Sequence, residues 1–302
     1  MDRGFGGMGL EVIGSCNASC EFCSWRSNKD VKLKNVYTGE VITRSKGKKI
    51  DIDLIDSILE EHQIKGIICT GLSEPFLASD RVLYLADKAD ELDFSLAIYT
   101  NGSLLTKDIS EALLDHRNFI SINFSLNATT TATRMKVMNL PLEETEKNMM
   151  YFLEARRKKG KESDVAVGNV MMLTPNNRSE ENEFRRKWKG VFSKYSNCGD
   201  PGIFNATNWN GEVDNYWMTS DGNVSGCGQW SCSAPTINVD GQIYLCCYST
   251  HLTFGHCLDP EAVAKWLDRK KEFGVVDKDT RTYPDLCSGC SHKHSNRWKT
   301  GG

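Results

Sequence analysis

Cys16-Asn17-Ala18-Ser19-Cys20-Glu21-Phe22-Cys23 places three thiols at C-x3-C-x2-C spacing, directly after the apolar run 10–14. Three thiolates on so short a loop can bind one iron-sulfur cluster, each on a different iron. The fourth iron is then left open, as catalytic metal sites leave a position for substrate. Zinc is the competing occupant. It normally draws a second ligand pair from nearby, and no Cys or His follows Cys23 until His62.

Outward from this loop, short apolar runs alternate with helical segments, the pattern of repeated strand-helix units and a parallel sheet. The pattern predicts strands at 10–14, 66–70, 95–100, 120–126, 165–172 and 203–207, with helices at 53–62, 80–92, 107–115, 142–158 and 179–195. Leu54, Ile55, Ile58 and Leu59 recur at helical spacing, with Asp51 or Asp53 placed to cap the first turn. Six units predict an α/β fold, a partial (β/α)6 barrel whose active site gathers at the carboxyl ends of the strands. Residues 26–50 insert a basic, polar segment with a small hairpin around Thr38-Gly39. It reads either as a lid or as a solvated surface excursion. From residue 208 the alternation gives way to Gly-, Asn-, Ser- and Cys-rich sequence, so the expected domains are 1–207 and 208–302.

The cysteine loop resembles the signature of radical S-adenosylmethionine (SAM) enzymes. The resemblance implies that Cys16, Cys20 and Cys23 hold a 4Fe-4S cluster whose open iron is chelated by SAM. An electron from the cluster then breaks the sulfonium C–S bond, and the resulting 5'-deoxyadenosyl radical abstracts a hydrogen atom from substrate. Gly71-Leu72-Ser73-Glu74-Pro75 is similar to the family's Gly-Gly-Glu-Pro motif, with Leu72-Ser73 in place of the second glycine. It implies Gly71, Ser73 and Glu74 at the SAM amino group. Tyr99-Thr100-Asn101-Gly102 resembles the family's Thr-Asn-Gly turn, which puts Thr100 and Asn101 near the ligand. Ser125, Asn127 and Arg134 are similar to the residues that take the ribose hydroxyls and the carboxylate, an arginine suiting a carboxylate by its bidentate fork. Asn169 or Met171 is placed to touch adenine or ribose.

Twelve cysteines in 302 residues need a second explanation, and seven of them fall between Cys227 and Cys290. Asp240-Gly241 between two short apolar runs reads as a hairpin that delivers Cys246 beside Cys227 or Cys232. With Cys287-Ser288-Gly289-Cys290, the order resembles the small, cysteine-rich SPASM/twitch extension of radical SAM enzymes. The C-x2-C-x5-C-x3-C run of a full SPASM domain is absent, since His292 and His294 follow Cys290. One auxiliary 4Fe-4S cluster on Cys232, Cys246, Cys287 and Cys290 is therefore expected. Cys227 competes with Cys232 as ligand, and zinc competes as the metal. The spare thiols Cys247 and Cys227 are candidate hydrogen-atom donors, against the plain reading of buried, inert cysteines. Cys69 and Cys198 read as structural, and Cys257 as a packed thiol or alternate ligand.

Two activities fit these residues. One is modification of a peptide of the RiPP type, with epimerisation by Cys247 or Cys227. The other is dehydrogenation of a small molecule resembling an aminocyclitol, with the auxiliary cluster accepting the second electron. A scaffold that holds metal without consuming SAM is the non-catalytic alternative. An external electron donor such as flavodoxin or ferredoxin is implied. A net charge of -3 and a pI of about 6.1 argue against nucleic acid. Without an apolar run of membrane-spanning or signal-peptide length, a cytoplasmic location with no membrane partner is expected.

Overall fold

The computed structural model describes residues 5–24, 32–206, 213, 234–247 and 249–274. Six strands carry the parallel part of the sheet: β1 (Met8–Leu10), β4 (Gly66–Cys69), β5 (Ser95–Thr100), β6 (Phe119–Ser125), β7 (Ala166–Leu173) and β8 (Gly202–Asn205). They lie side by side in that order, each paired parallel to the next. Helices α1 (Ile52–Glu61), α2 (Ser79–Leu92), α3 (Lys107–Asp115), α4 (Thr131–Met138), α5 (Glu143–Lys158) and α6 (Glu181–Phe192) make the crossovers. This is the parallel α/β arrangement that the strand-helix rhythm predicts.

The strands alternate because only one face lies under helices. On β5, Leu96, Ile98 and Thr100 are buried while Ser95, Ala97 and Tyr99 are not. On β4, Ile67 and Cys69 are buried but Ile68 is exposed. A parallel sheet covered on both faces would read as continuous apolar runs. The helices answer with one apolar stripe each, Ile55 and Ile58 on α1, and Phe184, Trp188 and Phe192 on α6. Asp51 occupies the α1 N-cap without a side-chain cap bond; its carboxylate pairs with Lys48 instead.

Two additions extend the sheet beyond β1. The hairpin of β2 (Lys32–Asn35) and β3 (Val41–Thr43) turns at Thr38-Gly39. From the C-terminal segment come β9 (Thr236–Ile237), β10 (Gln242–Cys246) and β11 (Ser249–His256), followed by α7 (Pro260–Gly274). The order is β3-β2-β11-β10-β9-β1, with β9 parallel to β1 and β10 antiparallel to both neighbours. Asp240-Gly241 is the β9–β10 turn, with Gly241 at φ +74°. Among the described residues no helix is long and apolar enough to cross a membrane.

Candidate active site

The cysteine loop leaves the carboxyl end of β1 and is strapped down by backbone. The N–H groups of Ser19 and Glu21 donate to the carbonyls of Met138 and Val137, each at 2.8 Å. These are the last carbonyls of α4, which have no partner within a helix; the left-handed Asn139 ends that helix. Ala18 and Phe22 pack with Val137, Met138, Leu140 and Ala206 in a small second core, against which Cys16 and Cys20 rest. From the other side, Ser15 O accepts from Glu74 N at 3.0 Å. Asn17 Oδ1 accepts from Asn101 Nδ2 at 2.8 Å.

A cavity of about 210 Å³ opens where these loops meet. Cys16, Cys20, Cys23, Gly71, Ser73, Glu74, Thr100, Asn101, Ser125 and Asn127 all line it, with Tyr99, Met138 and Met172. Glu74 is buried and knits the cavity floor. Its Oε1 accepts from Thr100 Oγ1 at 2.6 Å and Phe76 N at 3.2 Å, and Oε2 from Asn101 N at 2.8 Å. Burial pushes its carboxyl upward against these bonds. Arg134 of α4 is wholly buried and donates from Nη2 to Asn101 O at 2.8 Å. Burial pulls its guanidinium down to about 10, against the attraction of Cys20, Glu146 and Glu74.

The residues present fit a thiolate-held cluster whose further ligand brings polar groups of its own. Burial pushes Cys16 up to about 11 and Cys20 well above the usual thiol range, so each thiol stays protonated until a metal offsets that cost. A cluster spreads its thiolates over separate irons. Two groups await a polar partner: Arg134 Nε and Nη1, and Ser73 Oγ on the cavity wall, are buried without a hydrogen bond.

Other expected site residues fall elsewhere. Asn169 lies on β7 one position off the face that Met172 presents to the cavity. It is buried with both side-chain polar atoms unbonded. Cys227, Cys232, Cys287 and Cys290 lie outside the described residues. Cys246 ends β10 opposite Ser249, and Cys247 follows in the turn. Ser24, next to Cys23, meets Thr250 at 3.3 Å between hydroxyl oxygens. The β10–β11 turn therefore stands beside the exit of the cysteine loop. Cys69 and Cys257 are buried in the core, and burial pushes both up to about 12. Cys198 is half-buried beside Arg156.

Three residues of the site region escape motif reading: Glu11, Arg44 and Tyr244. Glu11 is fully buried, pairs with Arg44 at 2.7 Å and accepts from Tyr244 Oη at 3.1 Å. A single carboxylate inside the apolar run Met8-Gly9-Leu10-Glu11-Val12-Ile13 was the available signal. The brace α4 also went unread as a helix, although Thr130 and Asn139 mark its ends.

Parallel strands that deliver a three-cysteine loop to a cavity with unpaired buried donors define an enzyme site of the cluster-bearing kind. The chain belongs to the radical SAM superfamily, whose model matches residues 10–186. Members are enzymes, and membership implies SAM and a 4Fe-4S cluster. Among solved structures, native anSMEcpe with bound AdoMet is 14% identical, at a TM-score of 0.59, covering 88% of this chain and 82% of that one. Streptococcus suis SuiB bound to precursor peptide SuiA is 16% identical (TM-score 0.53; 97% and 71% covered). BtrN in complex with AdoMet and 2-DOIA is 16% identical (TM-score 0.51; 96% and 94% covered). At these identities the likeness is one of fold. No curated protein matches the chain.

Proposed function

We propose that the chain cleaves SAM at a cluster on Cys16, Cys20 and Cys23 and abstracts a hydrogen atom from a peptide, epimerising one residue. The observation that carries the SAM site is the cavity shared by the three thiols, the 71–74 loop and the 100–101 turn. When bound, the cluster supplies the electron that breaks the SAM C–S bond. Ser73 lines the cavity with an unbonded hydroxyl for the ligand's polar end, and Arg134 lies behind the lining, holding Asn101 O. Leu72 and Phe22 wall the cavity with apolar surface, which excludes water from a reactive radical.

The peptide reading rests on Cys247, a half-buried cysteine outside any disulfide, in the turn beside the cysteine-loop exit. Its S–H gives a hydrogen atom to the substrate carbon radical, and the thiyl left behind is restored by one electron from an external donor such as flavodoxin or ferredoxin and one proton from solvent. Cys227 is the alternative donor. In this proposal residues 208–302 form the SPASM/twitch-like unit, with one auxiliary cluster on Cys232, Cys246, Cys287 and Cys290. The second reading is dehydrogenation of a small molecule, with the auxiliary cluster accepting the second electron.

The test is anaerobic reconstitution followed by SAM and a strong reductant in deuterated water. Formation of 5'-deoxyadenosine is expected, with solvent deuterium in the peptide product that is lost in Cys247→Ala. A ketone product without deuterium selects the second reading. Intact SAM would refute both.

A further inference from the structure

We infer that Glu11 is a positioning residue: it holds the Gly71-Leu72-Ser73-Glu74 loop in its ligand-receiving shape and ties it to Arg44 and Tyr244. The inference rests on the proposal that this loop contacts SAM. Glu11 Oε1 accepts from Leu72 N at 2.7 Å, while Oε2 takes Arg44 Nη2 at 2.7 Å and Tyr244 Oη at 3.1 Å. One carboxylate thus joins four stretches of chain: the end of β1, the segment after the hairpin, the cavity loop and β10.

The loop is shaped around that carboxylate. Gly71 stands at φ +112°, and a Cβ there would fall 2.4 Å from Glu11 Cγ and Oε1, so the backbone rests on the acid itself. Three residues on, Glu74 N is held by Ser15 O at 3.0 Å. Ser73 lies between these anchors, with its unbonded hydroxyl on the cavity wall. A buried ion pair is no better for stability than a well-packed apolar pair. What a carboxylate adds is an acceptor for three donors from different directions. Burial pushes Glu11 upward against the pull of Arg44, and the carboxylates of Glu11 and Asp240 raise Arg44 despite its own burial.

The test compares SAM affinity of the reconstituted protein by equilibrium dialysis, and hydrogen exchange of residues 70–76 in the cluster-free chain, across variants. Glu11→Gln is expected to weaken SAM about tenfold and Tyr244→Phe about threefold, each with faster exchange in 70–76 at unchanged iron content. Ser73→Phe, which fills the cavity from the loop, tests the underlying reading. If it abolishes SAM binding while Glu11→Gln and Tyr244→Phe bind like wild type, the positioning role falls and the loop reading stands. If Ser73→Phe binds SAM normally, the loop reading falls and takes the inference with it. Should Glu11→Gln not fold, Tyr244→Phe decides, since it leaves the ion pair in place. Affinity lost only in proportion to folded protein would equally overturn the role.

Discussion

Replacing Glu74 by Gln keeps the shape of the side chain and changes two acceptor sites into one. The amide nitrogen must then face one of two sets of donors. At the Oε2 position it would meet Asn101 N–H at 2.8 Å, donor against donor. At Oε1 it would meet the Thr100 hydroxyl at 2.6 Å, which can turn to accept, and Phe76 N–H at 3.2 Å, which cannot. The second placement is the cheaper, and it forfeits the Phe76 bond and weakens that of Thr100. A hydrogen bond to a charged acceptor is worth about 1.5–3 kcal/mol, and a stranded buried donor costs about 1–3 kcal/mol. Against this, the neutral amide recovers part of the desolvation that pushes the Glu74 carboxyl upward. The net expectation is a loss of about 1.5 kcal/mol, roughly tenfold in the folding equilibrium. Glu74→Ala, which strands all three donors, should lose about 3 kcal/mol or more. Equilibrium urea unfolding of the cluster-free chain measures both. If Gln and Ala were equally mild, within about 0.5 kcal/mol of wild type, Glu74 would not be holding the 100–101 turn.

Three further outcomes are expected. Cys16→Ala, Cys20→Ala or Cys23→Ala should each remove most of the iron and sulfide held at the first site, measured by elemental analysis in a chain whose Cys246, Cys287 and Cys290 are also replaced. Gly14→Ala should cost about 2 kcal/mol in urea unfolding, because its Cβ would lie 2.2 Å from the backbone carbonyl of Ser45, a neighbour that cannot swing aside. His62 and His256 are both pushed down by burial. They are neutral when folded, so the unfolded chain binds more protons below about pH 6.5. Their stabilising share is complete above that value and is lost as pH falls toward their depressed folded values. The decline should be shallower in His62→Gln, since protonating His62 places a second N–H at Nδ1, which has no acceptor, while Nε2–H already donates to Cys257 O at 3.0 Å.

What the sequence made legible was periodic or clustered. The helix 107–115 matches its expected limits, and the strand over 95–100 does too, because alternation and apolar stripes are local consequences of one-sided burial. The C-x3-C-x2-C loop and the turns after β4 and β5 are likewise short contiguous patterns, and they meet at one cavity. The helix α4 was not legible in this way. Thr131-Ala132-Thr133-Arg134-Met135-Lys136-Val137-Met138 has a weak apolar stripe, and its Thr and Val disfavour helix. Tertiary bonds decide it: Glu180 reaches from the loop after β7 to Thr130 Oγ1 at 2.9 Å, and the cysteine loop takes the last carbonyls. Pairing of β9 with β1 was equally hidden, since a two-residue strand carries no period.

That pairing has a consequence for how the site is assembled. β1 is flanked by β4 on one side and β9 on the other, and the cysteine loop continues directly from β1. The loop therefore leaves the sheet at the seam between the parallel strands that build the cavity and the strands contributed by the C-terminal segment. Glu11 sits in that seam, bonded to Leu72 across one border and Tyr244 across the other. Arg44, which enters from the segment after the hairpin, pairs with Glu11 at 2.7 Å. A disturbance of β10, which carries Tyr244 and ends at Cys246, thus has a short bonded route to the 71–74 loop. It passes through a single carboxylate, with no need for the helices.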